Sequence, residues 1–344
     1  LDLAGNDYLG LASDPRVVAA AAEAARVWGA GATASRLVTG TTQAHADLEA
    51  ALAAFCGHES ALVFSSGYLA NLGVVAALGG RDALVVSDAH VHASLVDACR
   101  LSRARVEVVP HLDLAALDTV LADRREQRAL VLTESVFSVL GDAPPLGDLA
   151  ALCARHGAVL VVDEAHGLGV VGEGGRGLVH AAGLAGRPDV LVTATLSKAL
   201  GSQGGAVLGP RVVRDHLVNH ARPFVYDTAL APAAVAGAAA ALAVLADEPE
   251  RPEAARACAS ALAEAVGVPA PAGAVLSVPM PGPYEAVAAA EACGEAGVRV
   301  GCFRPPSVPD GVSRLRVTAR ATLVGEALRQ ACAVLSRAVA RDAG

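Results

Sequence analysis

The sequence predicts an α/β protein: a mainly parallel seven-stranded sheet with helices on both faces, followed by a smaller C-terminal α+β domain. Three observations carry that expectation. Short runs of Val, Leu and Ala alternate with longer stretches of helical period. The short runs are apolar throughout, as in strands buried on both faces, rather than alternating polar and apolar. The composition is 53% hydrophobic with only ten aromatic residues, which suits helices packed on a buried sheet better than an all-β sandwich.

The expected strands are 61–64, 83–87, 106–110, 129–134, 158–163, 190–195 and 205–208. Helical period fills most of the gaps, for example over 114–125 and 146–156. In such sheets ligands collect beyond the carboxyl ends of the strands, and Ser87, Asp88, Glu134, Ser135, Asp163, Glu164 and Thr195 sit at those ends. After Thr228 an Ala-rich helix runs to about residue 245, and 247–252 reads as a linker. The remainder reads as a small α+β domain with strands near 274–278 and 315–318. The expected division is an N-terminal segment (1–12), a large domain (13–246) and a small one (247–344), with no internal repeat.

Composition excludes several classes. No run of 18 residues is apolar without a charge, Gly or Pro; the nearest, 229–246, holds Pro232 and Gly237 and reads as a buried helix. Leu1-Asp2-Leu3 lacks the basic and apolar regions of a signal peptide. Seven cysteines are scattered without CxxC spacing, which favours free cytoplasmic thiols over a disulfide framework or a metal site. A net charge of −8 argues against a nucleic-acid surface.

One compositional fact points to chemistry. Of 27 basic residues, Lys198 is the single lysine. Arg supplies surface charge and binds carboxylates, but it does not lose its proton to become a nucleophile. A Schiff base needs an amine that can. A lone lysine in Thr195-Leu196-Ser197-Lys198 therefore points to a covalent link with an aldehyde cofactor, pyridoxal phosphate; a surviving surface lysine is the alternative.

Other residues fit the same chemistry. Asp163 ends an apolar run, and a carboxylate there would keep a pyridine nitrogen protonated, although an Asp capping the next turn reads the same. His166 lies three residues on, within reach of a phenolic oxygen. Lys198 follows Asp163 by 35 residues, just beyond the next strand, with the hydroxyls of Thr195 and Ser197 placed for a phosphate. Ser65-Ser66-Gly67-Tyr68 follows a strand and opens a helix, as anion sites and ordinary strand–helix turns both do. His92 follows another strand end, free to stack on a ring or to sit in solvent. Arg304, in a loop with Pro305, Pro306 and Pro309, suits a fixed carboxylate-binding fork or a solvated loop. Two glycine patterns, 172–177 and 29–34, resemble a dinucleotide fingerprint. Neither follows a strand directly, so nicotinamide binding is not expected.

Taken together, Asn6-Asp7-Tyr8-Leu9-Gly10-Leu11, 29–40 ending Ser35-Arg36-Leu37-Val38-Thr39-Gly40, 65–71, His92-Ala93-Ser94, Thr133-Glu134-Ser135-Val136-Phe137-Ser138, Val162-Asp163-Glu164-Ala165-His166-Gly167, 195–198 and Arg304-Pro305-Pro306-Ser307-Val308-Pro309 cover nearly the whole chain. In that order they resemble the α-oxoamine synthases, fold-type-I pyridoxal-phosphate enzymes of the aspartate-aminotransferase type.

The resemblance implies Lys198 as the cofactor lysine, Asp163 as partner of the pyridine nitrogen, and His166 and Ser138 near the ring oxygen. It implies His92 on the ring face, Gly67, Tyr68 and Thr195 at the phosphate, and Thr228 reaching in from a second subunit. Asn6 and Arg304 would bind the amino-acid carboxylate, with Ser307, where many relatives carry Thr, close to substrate; His92 would also meet substrate. Relatives carry an acyl-binding Arg ahead of the position of Asn6. The pattern points most closely to condensation of L-alanine with a pimeloyl thioester in biotin synthesis, by a cytoplasmic homodimer without nucleic-acid or membrane partners. Sister reactions of glycine or serine with other acyl-CoA esters share the same catalytic set. A catalytically silent cofactor-binding regulator is a further alternative, disfavoured by the intact Lys–Asp–His–Arg set.

Overall fold

In the structure, a computed structural model, residues 1–340 are described. Strand β1 (Asp2–Leu3) leads to helix α1 (Pro15–Trp28), which starts where Asp14 accepts a hydrogen bond from Arg16 N and Pro15 supplies the fixed φ of a first helical position. Gly29, at φ 87°, ends it. A one-turn π-helix at Arg36–Gly40 precedes α2 (Gln43–Cys56).

From β2 (Ser60–Phe64) the chain alternates as expected: α3 (Gly67–Leu78), β3 (Ala83–Asp88), α4 (Ala93–Ser102), β4 (Arg105–Val109), α5 (Leu114–Ala122), β5 (Arg128–Glu134), α6 (Leu146–Arg155), β6 (Val159–Asp163), α7 (Leu178–Ala181), β7 (Val190–Thr195) and β8 (Gly205–Gly209). These strands form one sheet ordered β2-β8-β7-β6-β5-β3-β4. The pairs β4–β3, β3–β5, β5–β6 and β6–β7 are parallel, and β8 runs antiparallel to both its neighbours. All seven expected strands are present. β4 runs one residue earlier than expected: Arg105 already pairs with Leu84, and Pro110, with no N–H for the ladder, ends the strand at Val109.

The period-2 geometry of a strand sorts each apolar run between two cores. Leu62, Val85, Leu130, Val161, Leu191 and Val207 face the layer of α3, α4, α8 (Arg211–His220) and α9 (Arg222–Val225). Their neighbours Ala61, Leu84, Ala129, Leu160, Val190 and Ala206 face the opposite layer, with α2, α5, α6 and α10 (Pro232–Asp247). Each fully buried Leu or Val stabilises by about 1.5–3 kcal/mol, so neither face tolerates a polar residue cheaply.

The chain turns by 83° between α10 and α11 (Arg251–Val266). The break is shorter than the expected linker, because Arg251 and Pro252 already open α11. A second sheet follows, from β9 (Val275–Pro279), β10 (Arg299–Phe303) and β11 (Arg314–Thr318), with α12 (Pro283–Glu295) and α13 (Gly325–Ala340). Its order is β1-β10-β11-β9. The N-terminal segment thus pairs with the C-terminal sheet, Asp2 and Leu3 lying parallel to Arg299 and Val300. Gly29 lies at a helix end, and 172–177 begins nine residues after β6 ends, so neither glycine pattern follows a strand directly. Among the described residues no single helix is long and apolar enough to cross a membrane.

Candidate active site

The carboxyl ends of β5, β6 and β7 and the start of α3 enclose a cavity of about 240 Å3. Its wall includes Gly67, Tyr68, Asn71, His92, Ser94, Glu134, Asp163, His166, Thr195, Ser197 and Lys198.

Lys198 sits on the turn after β7, closed by a hydrogen bond from Gly201 N to its carbonyl. Gly201 has φ 59°, and a Cβ there would fall 2.3 Å from Ala12 N, so only glycine lets the turn lie against the N-terminal segment. The residue as a whole is half-buried, but its amine end is enclosed. Burial pushes its pKa down to about 8, against the opposing pull of Asp163 and Glu134, with Arg316 adding to the depression. Nζ lies 2.8 Å from His166 Nε2.

A first hydrogen-bond network runs from Asp163 to His92. Asp163 ends β6; its Oδ1 accepts from Ala165 N at 2.9 Å, and its Oδ2 accepts from Asn71 Nδ2 at 2.7 Å. The same nitrogen donates to Ser94 Oγ at 2.9 Å. Ser94 Oγ lies 2.8 Å from His92 Nδ1, which also accepts from Ser94 N at 3.2 Å. Burial lowers the pKa of His92, keeping the imidazole neutral.

A second network lies behind His166. Its Nδ1 is 2.6 Å from the Tyr8 hydroxyl, which donates to Asn6 Oδ1 at 2.9 Å. Asn6 Oδ1 also accepts from Arg316 Nη2 at 3.0 Å, and Arg316 Nε donates to Ser138 O at 2.6 Å. Tyr8, His166 and Arg316 are all buried. Burial holds His166 well below its ordinary pKa, helped by Lys198 and Arg316, and pushes Tyr8 up to about 12.

Glu134 closes the cavity from β5. It accepts from the backbone N–H of His92 and of Ser138, and burial, then the charge of Asp163, pushes its pKa up to about 8.

The start of α3 forms the other end. Ser66 caps the helix by accepting from Leu69 N at 3.1 Å, and Gly67 and Tyr68 supply first-turn N–H groups with no partner inside the helix. A Cβ on Gly205 would fall 2.4 Å from Ser66 O and 2.5 Å from Gly67 Cα, so β8 and the helix start touch through backbone alone. Gly67 in turn packs on Thr195, whose Oγ1 is 2.6 Å from Ser197 Oγ. Unpaired N–H groups with two hydroxyls make an anion cradle.

Of the residues singled out in the sequence, Lys198, Asp163, His166, His92, Gly67, Tyr68 and Thr195 thus meet at one cavity. Asn6 and Ser138 stand behind it, bound to Arg316. Arg304 and Ser307 lie exposed on the loop between β10 and β11, and Thr228 is exposed, its backbone bridged to Ser35. Sequence reasoning gave no role to Tyr8, Asn71, Ser94, Glu134 or Arg316. Four of them lie inside the motif stretches already noted. Arg316 had its own signal, a charged residue within the wholly buried strand β11.

Residues 1–335 match the family Aminotransferase class I and II. A relative from Mycobacterium sp. (strain JLS), named 8-amino-7-oxononanoate synthase, is 64% identical over 98% of this chain and 88% of its own. A solved serine palmitoyltransferase variant from S. paucimobilis, with a PLP–myriocin aldimine bound, superposes with a TM-score of 0.95 at 32% identity, covering 100% of this chain and 88% of its own. The 8-amino-7-oxononanoate synthase of Francisella tularensis superposes with a TM-score of 0.85 at 25% identity, covering 100% and 99%. The chain belongs to the class I and II aminotransferase family, whose α/β fold with its mostly parallel seven-stranded sheet it has. Within that family it is similar over nearly its full length to the 8-amino-7-oxononanoate synthases, acyltransferases of biotin synthesis.

Proposed function

We propose that this protein condenses L-alanine with a pimeloyl thioester, releasing the carrier thiol and CO2 to give 8-amino-7-oxononanoate, with pyridoxal phosphate held covalently on Lys198. The carrying observation is Lys198 itself. The chain's one amine side chain ends in the cavity beside Asp163, His166 and His92, its pKa lowered to about 8. At pH 7 roughly a tenth of it is neutral, about 300-fold more than for an ordinary lysine.

The residues present fit that cofactor's three functional ends. The amine of Lys198 would meet an aldehyde, the Asp163 carboxylate a pyridinium, and the cradle of Gly67, Tyr68, Thr195 and Ser197 a phosphate. When bound, the cofactor supplies a ring that takes up the electron pair left at the amino acid's Cα. Lys198 removes the Cα proton of alanine and later returns one; with its low pKa it can do both near neutral pH. Asp163, tied by Asn71, would meet the ring nitrogen. His92 would stand at the ring face, where its neutral imidazole can polarise the thioester carbonyl. Arg304, with Asn6, fixes the alanine carboxylate, and Ser307 borders the substrate.

We infer a homodimer as well. Thr228 is exposed, and its bridge to Ser35 brings it beside the exposed apolar residues Leu37, Val38 and Tyr226. A second subunit that covers them would receive Thr228 at its own phosphate cradle, with Ser138 and His166 at its ring oxygen. The division at 247, the loop carrying Arg304 and seven free cysteines suit a large cofactor-binding domain, a small substrate-binding one and a cytoplasmic setting.

The similarity to serine palmitoyltransferase makes a serine or glycine condensation the second reading. Release of free thiol is the deciding measurement. Alanine with pimeloyl-CoA or the pimeloyl carrier protein should be the productive pair; preference for serine with a long acyl-CoA, or for glycine with acetyl-CoA, would replace the reading by a sister reaction.

A further inference from the structure

We propose that Tyr8 is a positioning residue that fixes the tautomer of His166, holding its Nε2 as the hydrogen-bond acceptor for Lys198. The polarity of the chain of contacts follows from its far end. A guanidinium offers only hydrogens, so the Asn6 atom that meets Arg316 Nη2 at 3.0 Å is the amide oxygen. That oxygen has no hydrogen to give, and its 2.9 Å contact with Tyr8 commits the single phenol hydrogen to Asn6. Tyr8 then has only lone pairs left for His166, and the 2.6 Å contact requires the hydrogen to sit on Nδ1.

His166 is buried and kept neutral by that burial and by the nearby charges of Lys198 and Arg316. A neutral imidazole protonated on Nδ1 has a bare Nε2, and this atom faces Lys198 Nζ at 2.8 Å. The opposite tautomer would set two oxygens face to face across Tyr8 and Asn6, and would aim an N–H at the lysine amine. Arg316, held between Asn6 and Ser138 O, thereby sets the direction in which a hydrogen lies between His166 and Lys198. The other groups that bear on the charge of the amine, Asp163 and Glu134, do not enter the Tyr8–Asn6–Arg316 chain that selects the tautomer.

The consequence for catalysis rests on the condensation reading above; the tautomer does not. The test is therefore nitrogen-15 NMR of the histidines in cofactor-free protein. Wild type is expected to show His166 protonated on Nδ1 and bare on Nε2. Tyr8→Phe should move it toward the Nε2–H form, and a ring-fluorinated tyrosine at the same position, which keeps the hydroxyl, should restore it. Because an N–H aimed at the amine disfavours the ammonium, Tyr8→Phe should also lower the midpoint of Lys198 reaction with a small aldehyde by about one pH unit. Finding Nε2–H in wild type, or an unchanged tautomer in Tyr8→Phe, would overturn the proposal. If the cofactor never loads on Lys198, the condensation reading fails while these spectra still decide the tautomer.

Discussion

Asn71 holds Asp163 and Ser94 with one nitrogen: its two amide hydrogens go to Asp163 Oδ2 at 2.7 Å and Ser94 Oγ at 2.9 Å. Through Ser94 the second bond continues to His92. The carboxylate assigned to the cofactor's nitrogen and the imidazole assigned to its face are therefore one network, although 71 residues separate them in the chain. Asn71→Ala leaves a buried carboxylate oxygen without its donor and frees Ser94. A loss of about 1.5–3 kcal/mol is expected, seen as a roughly 10- to 100-fold fall in kcat/KM with weakened cofactor retention. Wild-type kinetics in Asn71→Ala would remove the network from the account.

His111 makes a second clamp behind the same loop. Its Nδ1 lies 2.9 Å from Asp88 Oδ1 and its Nε2 2.9 Å from Asp142 Oδ2, and Asp88 also accepts from His90 N. The exit of β3 toward His92 is thus joined to the loop beyond Ser138. Burial opposes charge on His111, but the bonds to Asp142 and Asp88 win and push its pKa up to about 9. A pKa raised above its unfolded value gives stability that is complete below about 6.5 and lost as pH rises through about 9. Urea unfolding should show about 2 kcal/mol lost over that window relative to His111→Gln, which should lack the step.

Glu134 has a dependence of the same sign in a lower pH window. Its pKa is raised to about 8 from an ordinary 4.5, so the folded protein holds a proton that the unfolded chain releases. Between those values the cofactor-free protein should lose stability as pH rises, and Glu134→Gln should flatten that part of the curve. An unchanged slope in Glu134→Gln would place the titration elsewhere.

Gly205→Ala tests the contact between β8 and the start of α3. The new Cβ would meet Ser66 O at 2.4 Å and Gly67 Cα at 2.5 Å, both backbone atoms that move only with the helix. Overpacking of about 1–3 kcal/mol is expected in thermal unfolding, together with weaker binding of inorganic phosphate at the cradle. Gly294→Ala, where the new Cβ meets nothing, serves as the control.

The main sheet was legible because each strand is a run of apolar residues whose two faces both find a core, as 83–87 and 158–163 illustrate. β10 escaped notice because Arg299–Phe303 is only half-buried and broken by Gly301. The two residues of β1 were too few for any periodicity. In the site, Lys198 stood out by being alone among the basic residues, and Asp163, His92 and Thr195 by ending strands or following them. Tyr8 left no such mark, and Arg316 only that of a charged residue within a buried strand. Their partners lie far along the chain, 158 residues away for Tyr8 with His166 and 310 for Arg316 with Asn6, so only folding brings the network together.

Borohydride reduction of the cofactor-loaded protein, followed by peptide mapping, tests the central assignment most directly. The reduced pyridoxyl group should be found on the peptide carrying Lys198, and Lys198→Ala should retain none. A loaded, active protein in which reduction leaves Lys198 unmodified would contradict the account.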